Sequence, residues 1–296
     1  MPRARFLWNM VFDGEGRPAE PASRPSPLTW RDEDITGSCL GHSTVLLNFL
    51  GVRVLIDPVF SRRVGPGVGR LVLGPKRRLQ PALRPRDIGT PDVILLSHAH
   101  FDHLDAPSLR RFSRDTTVVT AAGTGDLLRR FRNVHELAWG QATTLSVRGK
   151  TVRITAIPVA HWGARMIKDT HRGYCGYLLE QHGRAICYAG DTAYTTSFAA
   201  LRQTSPHLDL AIVPIGAYDP WIRAHCSPEQ AVTMAEQAGA AYFVPVHHQT
   251  FRLSHEPMTE PARRVRAAFR DAPHRLLATE VGETFRVPHR DERLAG

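Results

Sequence analysis

Ser97-His98-Ala99-His100-Phe101-Asp102-His103 is the most informative segment of this 296-residue chain. It follows the apolar run Val93-Ile94-Leu95-Leu96, which predicts a buried strand. Three imidazoles and one carboxylate are costly to bury unless each has a partner. Imidazole nitrogen and carboxylate oxygen are ligands of zinc-like ions. The segment therefore predicts a metal site at the end of a strand.

The spacing within this segment favours two metals over one. In a tight turn after a strand, His98 and His100 can point to one metal, while Asp102 and His103 turn towards a second. Two-metal sites of this kind usually catalyse hydrolysis. A histidine-rich surface loop is the alternative interpretation, and the buried-strand pattern before the segment argues against it.

Composition is that of a globular protein, with 42% hydrophobic residues and enough length for one large domain or two small ones. No apolar run reaches the length of a membrane span, and the apolar patch at residues 6–12 is too short for a signal peptide. We expect a cytoplasmic protein, with peripheral contact at the inner membrane face left open. Scattered cysteines without C-x-x-C spacing predict free thiols: Cys39, Cys175, Cys187 and Cys226.

The formal net charge of +10 is unevenly distributed. Residues 62–86 contain eight basic side chains and no acidic one before Asp87: Arg62, Arg63, Arg70, Lys76, Arg77, Arg78, Arg84 and Arg86. Such a stretch would attract phosphate, an anionic lipid surface or nucleic acid, and a solvated basic loop is the alternative. Because no aromatic residues interleave with the basic ones, a nucleic-acid partner is disfavoured.

Periodicity predicts an α+β protein in which two packed sheets have helices outside. Residues 1–36 are predicted to be a partly flexible N-terminal arm, and residues 37–290 the folded hydrolase domain. Residues 58–85 are predicted to form a long surface loop. Helices are predicted at 107–112, 228–238 and 261–269, and strands at 44–50, 53–56, 93–96, 117–120, 143–147, 152–157, 176–179, 185–188, 210–213 and 242–246.

Three later strands each end in a ligand-type side chain: His161, Asp191 and His247. If the strand ends meet at one edge of the sandwich, these side chains reach the first segment. A lone histidine is more often structural, but three such strand ends together favour ligand roles. An aspartate that follows a glycine at a strand end is suited to bridging two metals through its two oxygens.

The order His-x-His-x-Asp-His, then His, Asp and His, resembles the metallo-β-lactamase superfamily. That resemblance implies a four-layer αββα sandwich and a dinuclear metal site. A narrower resemblance is to the N-acylphosphatidylethanolamine-hydrolysing phospholipase D branch, whose members are zinc phosphodiesterases. It rests on further motifs in order: Gly41-His42-Ser43-Thr44-Val45, Asp57-Pro58-Val59-Phe60-Ser61, Gly74-Pro75-Lys76-Arg77, His161-Trp162, Ala189-Gly190-Asp191-Thr192, Pro214-Ile215-Gly216-Ala217-Tyr218-Asp219-Pro220, His225 with Pro228-Glu229, and Val246-His247 with Thr250-Phe251.

The resemblance implies a role for each matching residue. His98, His100 and His161 would hold one metal, and Asp102, His103 and His247 the other, with Asp191 bridging. His225 lies where the branch has a histidine near the substrate phosphate, so the implied catalytic residues are Asp102, Asp191 and His225. The cofactors are expected to be two divalent ions, with Zn²⁺ first and Mn²⁺ or iron as alternatives. The chain departs from the branch at His248-Gln249, where Trp-Gly is usual.

These observations predict a dinuclear metal-dependent hydrolase. The leading prediction is a phospholipase D-like phosphodiesterase that uses a metal-bridging hydroxide on a lipid or small-molecule phosphodiester. A lactonase or other carboxylic-ester hydrolase is the open alternative, and a nucleic-acid-processing protein ranks lower; oligomeric state is not predicted. Four further candidates are His42 and Asp57, as hydrogen-bond partners of ligands, and Tyr218 and Trp221, as pocket residues. Turn residues and ordinary packing are their alternative roles.

Overall fold

Two mixed β-sheets form the centre of the structure, a computed structural model that describes residues 16–68, 71–166, 168–205, 207–289 and Glu292. The strands are β1 Ile35–Gly41, β2 Thr44–Phe49, β3 Val52–Ile56, β4 Gly67–Val68, β5 Leu71–Val72, β6 Val93–Leu96, β7 Thr117–Ala121, β8 Val134–Leu137, β9 Ala142–Val147, β10 Lys150–Ile157, β11 Gly176–Gln181, β12 Arg184–Tyr188, β13 Leu210–Pro214, β14 Tyr242–Val246 and β15 Thr284–Val287. One sheet has the order β15-β1-β2-β3-β6-β7-β8, and the other β14-β13-β12-β11-β10-β9.

Helices lie outside the sheets, which confirms the predicted αββα sandwich. They are α1 Pro85–Ile88, α2 Ala106–Leu109, α3 Leu201–Thr204, α4 Pro228–Gln237 and α5 Glu260–Ala268, with 3-10 turns at Pro27–Thr29, Gly125–Leu128, Thr196–Ala200 and Pro273–Arg275. Helix α4 begins where the Ser-Pro signal predicts, because Ser227 and Gln230 cap each other through side chain and backbone. None of the helices in the described residues is long and apolar enough to cross a bilayer.

Alternation along the strands divides the apolar residues between two cores. Along β10, Val152, Ile154 and Ala156 face the core between the sheets, whereas Ile157 packs with the helices outside. The outer core includes Ala231, Val232, Met234 and Ala235 of α4. This is the pattern expected when one face of a sheet meets another sheet and the other face meets a helix.

Several sequence-based expectations need correction. Strands β1, β8 and β15 were not predicted, because their sequences lack a clear apolar run. Residues 58–85 are not simply a surface loop, since β4 and β5 form a small hairpin and Arg77 is only 2% exposed. The Arg77 guanidinium donates hydrogen bonds to the carbonyls of Val59 (2.6 Å) and Ser61 (3.1 Å).

The predicted N-terminal arm is described only from Gly16, so the apolar patch at residues 6–12 lies outside the described residues. From Gly16 onward the arm contacts the domain. Ala19 pairs with Leu79, and Trp30 joins the core between the sheets. Strand β1 begins at Ile35, two residues before the predicted boundary, and the division at residue 37 remains a prediction.

The carboxyl ends of the strands that precede the predicted ligands share one edge. Strands β3, β6 and β7 are parallel, as are β12, β13 and β14. Strand β10 runs antiparallel to β11, which runs antiparallel to β12, so β10 and β12 point the same way. Cys175, the residue before β11, donates its backbone N–H to Ser97 O (3.1 Å), and this bond joins the two sheets at this edge.

Candidate metal centre

Three histidine nitrogens converge at the first predicted metal position. His98 Nε2 lies 2.9 Å from His100 Nδ1, and His161 Nε2 lies 3.3 Å from the same atom. The side chains of His98 and His161 are nearly or fully buried. His98 and His161 use their other ring nitrogen elsewhere: His161 Nδ1 donates to Ala224 O (2.8 Å), and His98 Nδ1 lies 2.9 Å from Ser97 Oγ. These bonds fix the tautomer in which Nε2 carries the lone pair.

The second predicted position contains one residue more than the sequence assigned. Asp102, His103 and His247 lie together as predicted, and His42 joins them, with ligand-type atoms of all four within 4.8 Å of one another. His42 Nε2 lies 3.0 Å from Asp102 Oδ2. The backbone N–H of His247 donates to His42 O (3.0 Å), which links His247 to the turn between β1 and β2.

Asp191 lies between the two groups. Its Oδ2 atom lies 3.2 Å from His103 Nε2 and 3.1 Å from His247 Nε2, both from the second group. The same atom lies 3.8 Å from His161 Nε2 of the first group and 3.8 Å from His225 Nδ1. The preceding residue must be glycine, since Gly190 has φ of 62° and a Cβ there would lie 2.8 Å from Cys175 O.

Asp57 is a buried carboxylate that binds the predicted ligand His103 on the side away from Asp191. Its Oδ2 atom accepts hydrogen bonds from His103 Nδ1 (2.7 Å), Ser97 Oγ (2.6 Å) and Tyr188 OH (2.5 Å). Its Oδ1 atom accepts the backbone N–H of Ser97 (2.8 Å). A fully buried carboxylate with four donors orients His103 so that Nε2 faces Asp191. The structure thus places Asp57 against a predicted ligand; sequence reasoning gave no role to Ser97 or Tyr188.

His225 reaches the site from the loop after β13. Its backbone N–H and that of Ala224 both donate to Trp221 O, at 2.9 and 2.8 Å. The His225 ring lies 5.1 Å from the rings of His161 and His247. It is therefore beside both predicted metal positions without belonging to either predicted ligand set.

The two predicted pocket aromatics differ in their surroundings. Tyr218 is buried, and its hydroxyl donates a hydrogen bond to Glu260 Oε1 of α5 (2.7 Å). The hydroxyl therefore links the loop after β13 to α5. Trp221 is 40% exposed and donates from Nε1 to Leu253 O (3.2 Å). Trp162, to which the sequence gave no role, is 47% exposed, and its ring lies 4.3 Å from that of His161.

Burial and mutual charge set the protonation of this cluster. Burial lowers the pKa of His100 and His161 to about 4, so both imidazoles are neutral at pH 7. Burial alone would raise the pKa of Asp191, but His103 and His247 outweigh it and hold the pKa well below the usual range. Neutral imidazoles and ionised carboxylates are the forms that bind metal ions. Despite burial, the Asp191 carboxylate raises the pKa of His103 well above its usual range and that of His247 to about 9, so these two imidazoles would each release a proton when a cation binds.

Several buried polar atoms of the cluster make no hydrogen bond. They are His42 Nδ1, His103 Nε2, Asp191 Oδ1, His225 Nδ1, and both ring nitrogens of His247. Buried polar atoms are normally paired, and unpaired ones cost free energy. Since these atoms belong to imidazoles and a carboxylate of the same clusters, divalent cations would satisfy those that face the site. The residues present therefore fit two divalent ions.

Left-handed backbone conformations occur at several residues of the same edge. Positive φ occurs at eight described residues other than glycine, and these include His42 (φ 56°), Asp57 (φ 38°), Ala217 (φ 64°) and His247 (φ 61°) at this edge. Such conformations are uncommon for these residue types and cost free energy that the surrounding contacts must offset. Contacts from the rest of the fold therefore hold these four residues in place.

Comparison with known proteins identifies the family of this chain. The family described as beta-lactamase superfamily domain matches residues 52–248 of this chain. This chain belongs to the metallo-β-lactamase superfamily. As a member of that family it is a metal-dependent hydrolase, as the sequence predicted.

Individual relatives in other organisms are about 30% identical to this chain. An uncharacterized protein of Mycobacterium tuberculosis is 31% identical over 276 residues, covering 89% of this chain and 72% of the relative. N-acyl-phosphatidylethanolamine-hydrolyzing phospholipase D 1 of Caenorhabditis elegans is 30% identical over 229 residues, or 72% of this chain. This chain spans only 64% of the nematode protein's length. These matches support the predicted phospholipase D-like branch.

A solved structure supports the fold. The isothiocyanate hydrolase from Delia radicum gut bacteria superposes with a TM-score of 0.67 and 18% identity. The alignment covers 84% of this chain and 98% of that enzyme. At this identity the similarity concerns the architecture alone.

Proposed function

We propose that this protein is a dinuclear metal-dependent phosphodiesterase that cleaves a phospholipid or another organic phosphodiester. The observation that carries the dinuclear part is the position of Asp191 Oδ2, within 3.8 Å of nitrogens from both predicted ligand sets. The phosphodiester part is supported by the 30% identity to a phospholipase D that hydrolyses N-acyl-phosphatidylethanolamine.

Two sets of side chains would hold the two cations. His98, His100 and His161 would hold one cation, and Asp102, His103 and His247 the other, with Asp191 between them. When bound, two divalent cations lower the pKa of water and stabilise negative charge that develops on a phosphate. Zn²⁺ is the first candidate for this donor set, and Mn²⁺ and iron are compatible with it.

His225 is proposed to bind the substrate phosphate. Burial lowers its pKa to about 4, so the imidazole is neutral at pH 7 and carries one N–H. That N–H can donate a hydrogen bond to a phosphate oxygen or to the leaving-group oxygen. With His225 only 8% exposed, little water competes for the bond.

The exposed indoles of Trp162 and Trp221 support a substrate with an apolar part. Trp162 borders His161, and the carbonyl of Trp221 holds the backbone of His225. An indole combines a large apolar face with a polar N–H, a combination suited to the boundary between water and acyl chains. The proposed substrate therefore places its phosphate at the metals and an apolar group against the indoles.

The test combines metal analysis with two model substrates. We expect about two metal ions per chain, hydrolysis of bis(p-nitrophenyl) phosphate, and loss of that activity on chelation with recovery when metal is restored. Hydrolysis of a simple lactone without phosphodiester cleavage would instead support a lactonase or carboxylic-ester hydrolase. Turnover of phosphodiester by fully metal-free protein would refute the metal-dependent mechanism.

A further inference from the structure

A basic cavity lies outside the metal centre, between α1, α2 and the loop after β3. Its volume is about 520 Å³, and its lining includes Phe60, Ser61, Arg84, Arg86, Ser108 and Arg111. None of these residues belongs to the metal-ligand clusters of the described chain. Arg84 and Arg86 come from the basic stretch at residues 62–86, whereas Arg111 comes from the segment that follows the metal-binding motif.

The side chains of Arg84, Arg86 and Arg111 are exposed. Their positive charges outnumber the carboxylates that pair with them. Arg86 Nε lies 3.7 Å from Asp87 Oδ1. Within the described residues, no carboxylate lies within 4.0 Å of the guanidinium groups of Arg84 or Arg111. Two guanidinium groups at this cavity therefore lack a carboxylate partner, and each can donate paired hydrogen bonds to a phosphate.

The acidic group beneath the cavity is already engaged. Asp105 Oδ2 accepts hydrogen bonds from Ser61 Oγ (2.5 Å) and from Ser108 Oγ. Its charge also favours the charged form of two guanidinium groups outside the cavity lining, Arg77 and Arg165. Asp105 thus already interacts with two serine hydroxyls and with positive neighbours outside the cavity lining.

We propose that the cavity at Arg84, Arg86 and Arg111 binds a phosphate monoester at a site separate from the metal centre. A dianionic phosphate matches two guanidinium groups without carboxylate partners, whereas a single carboxylate would leave one of them unmatched. The phosphate can belong to a free metabolite or to a lipid headgroup such as that of phosphatidic acid. The proposal is independent of the reaction at the metals.

The test measures binding to the metal-loaded protein. Calorimetric titration with glycerol 3-phosphate, with glycerol as the neutral comparison, is carried out on wild type and on the double variant Arg84→Gln/Arg111→Gln. The matched control is Arg129→Gln/Arg270→Gln, which removes the same charge from two exposed arginines elsewhere. Because all four residues are exposed, we expect every variant to fold, and circular dichroism checks this.

We expect the double variant to bind glycerol 3-phosphate at least about tenfold more weakly than wild type and the control. Metal content and bis(p-nitrophenyl) phosphate hydrolysis should stay at the wild-type level in both, which separates this result from any failure of the proposed phosphodiesterase activity. Unchanged binding in the double variant, as would follow from binding at the metals, overturns the proposal. So does wild-type binding no stronger than that of glycerol.

A second arm identifies the source of the phosphate. Cosedimentation is measured with phosphatidylcholine vesicles, with and without phosphatidic acid. Binding that requires phosphatidic acid and is lost in the double variant supports a lipid headgroup as the ligand. Binding of glycerol 3-phosphate alone, with no vesicle binding, supports a free phosphate monoester.

Discussion

His42 Nε2 lies 3.0 Å from Asp102 Oδ2, although 60 positions separate the two residues in the chain. His42 occupies the turn between β1 and β2 with a positive φ of 56°, and its backbone N–H donates to Thr250 Oγ1 (2.6 Å). Sequence reasoning left two roles open, a turn residue or a partner of the site. The structure places His42 in that turn and within hydrogen-bond distance of Asp102, and its role at the site remains a prediction.

We predict that His42→Asn lowers metal occupancy and hydrolysis by about 10- to 100-fold, because Asp102 loses the imidazole that orients it. Asparagine tolerates positive φ, so the backbone should be little affected. The control is His182→Asn, a change at an exposed turn histidine with φ of 47°. Metal analysis and initial rates check the prediction, and equal behaviour of the two variants would contradict it.

Asp191→Asn should have a larger effect. The change keeps the shape of the side chain but removes the charge that lies between the two histidine groups. We expect bound metal to fall below two ions per chain and hydrolysis to fall by more than about 100-fold. Asp209→Asn, at another fully buried aspartate, should lower thermal stability but leave metal content unchanged. Full metal occupancy in Asp191→Asn would exclude the bridging role.

A pair of tyrosine variants tests the support behind the metals. Tyr188 OH donates to Asp57, which holds His103, whereas Tyr177 OH donates to the backbone carbonyl of Leu96 (2.8 Å). Each Tyr→Phe change should destabilise the fold by about 1 kcal/mol. Only Tyr188→Phe should also weaken metal binding, as a competition titration with a chelator would measure. Equal metal affinity in both variants would show that the Tyr188 bond is purely structural.

Arg172 anchors the loop that carries His161. Its guanidinium bonds to Asp126 (2.5 and 3.0 Å), to Asp169 (2.6 Å) and to Gly123 O (2.9 Å), while its own side chain is 7% exposed. Hydrogen bonding to Arg172 lowers the pKa of Asp126. Since Asp126 is about half exposed, solvent screens much of this interaction. We therefore expect Arg172→Gln to lower the free energy of unfolding by about 1 kcal/mol near neutral pH.

The pH dependence of that cost has a definite sign. A carboxyl whose pKa is lowered in the folded state adds stability above its unfolded pKa, here about 3.8, and loses it as pH falls through the folded value. The stability difference between wild type and Arg172→Gln should therefore shrink below about pH 4. Thermal unfolding at several pH values measures it, with Arg132→Gln at the exposed Arg132–Asp115 pair as control. A difference that grows at low pH would contradict the assignment.

The sequence by itself determined the chemistry of the site and much of the fold. Strand β14 lies where the sequence predicts it, at residues 242–246, because a short apolar run that ends at His247 can be identified from local sequence alone. The ligand types followed from the cost of burying imidazole and carboxylate without a partner. Their order along the chain was enough to indicate the superfamily and, with it, the sandwich.

Tertiary structure alone decided which side chains meet. Arg77 and Arg84 belong to the same basic stretch, yet Arg77 is inside the protein and Arg84 lines an open cavity with Arg111. Likewise, Asp57, Ser97 and Tyr188 form one hydrogen-bond network across two sheets. Local sequence fixes what a residue can bind, but burial and contact depend on how distant strands pack, and that is a property of the whole chain.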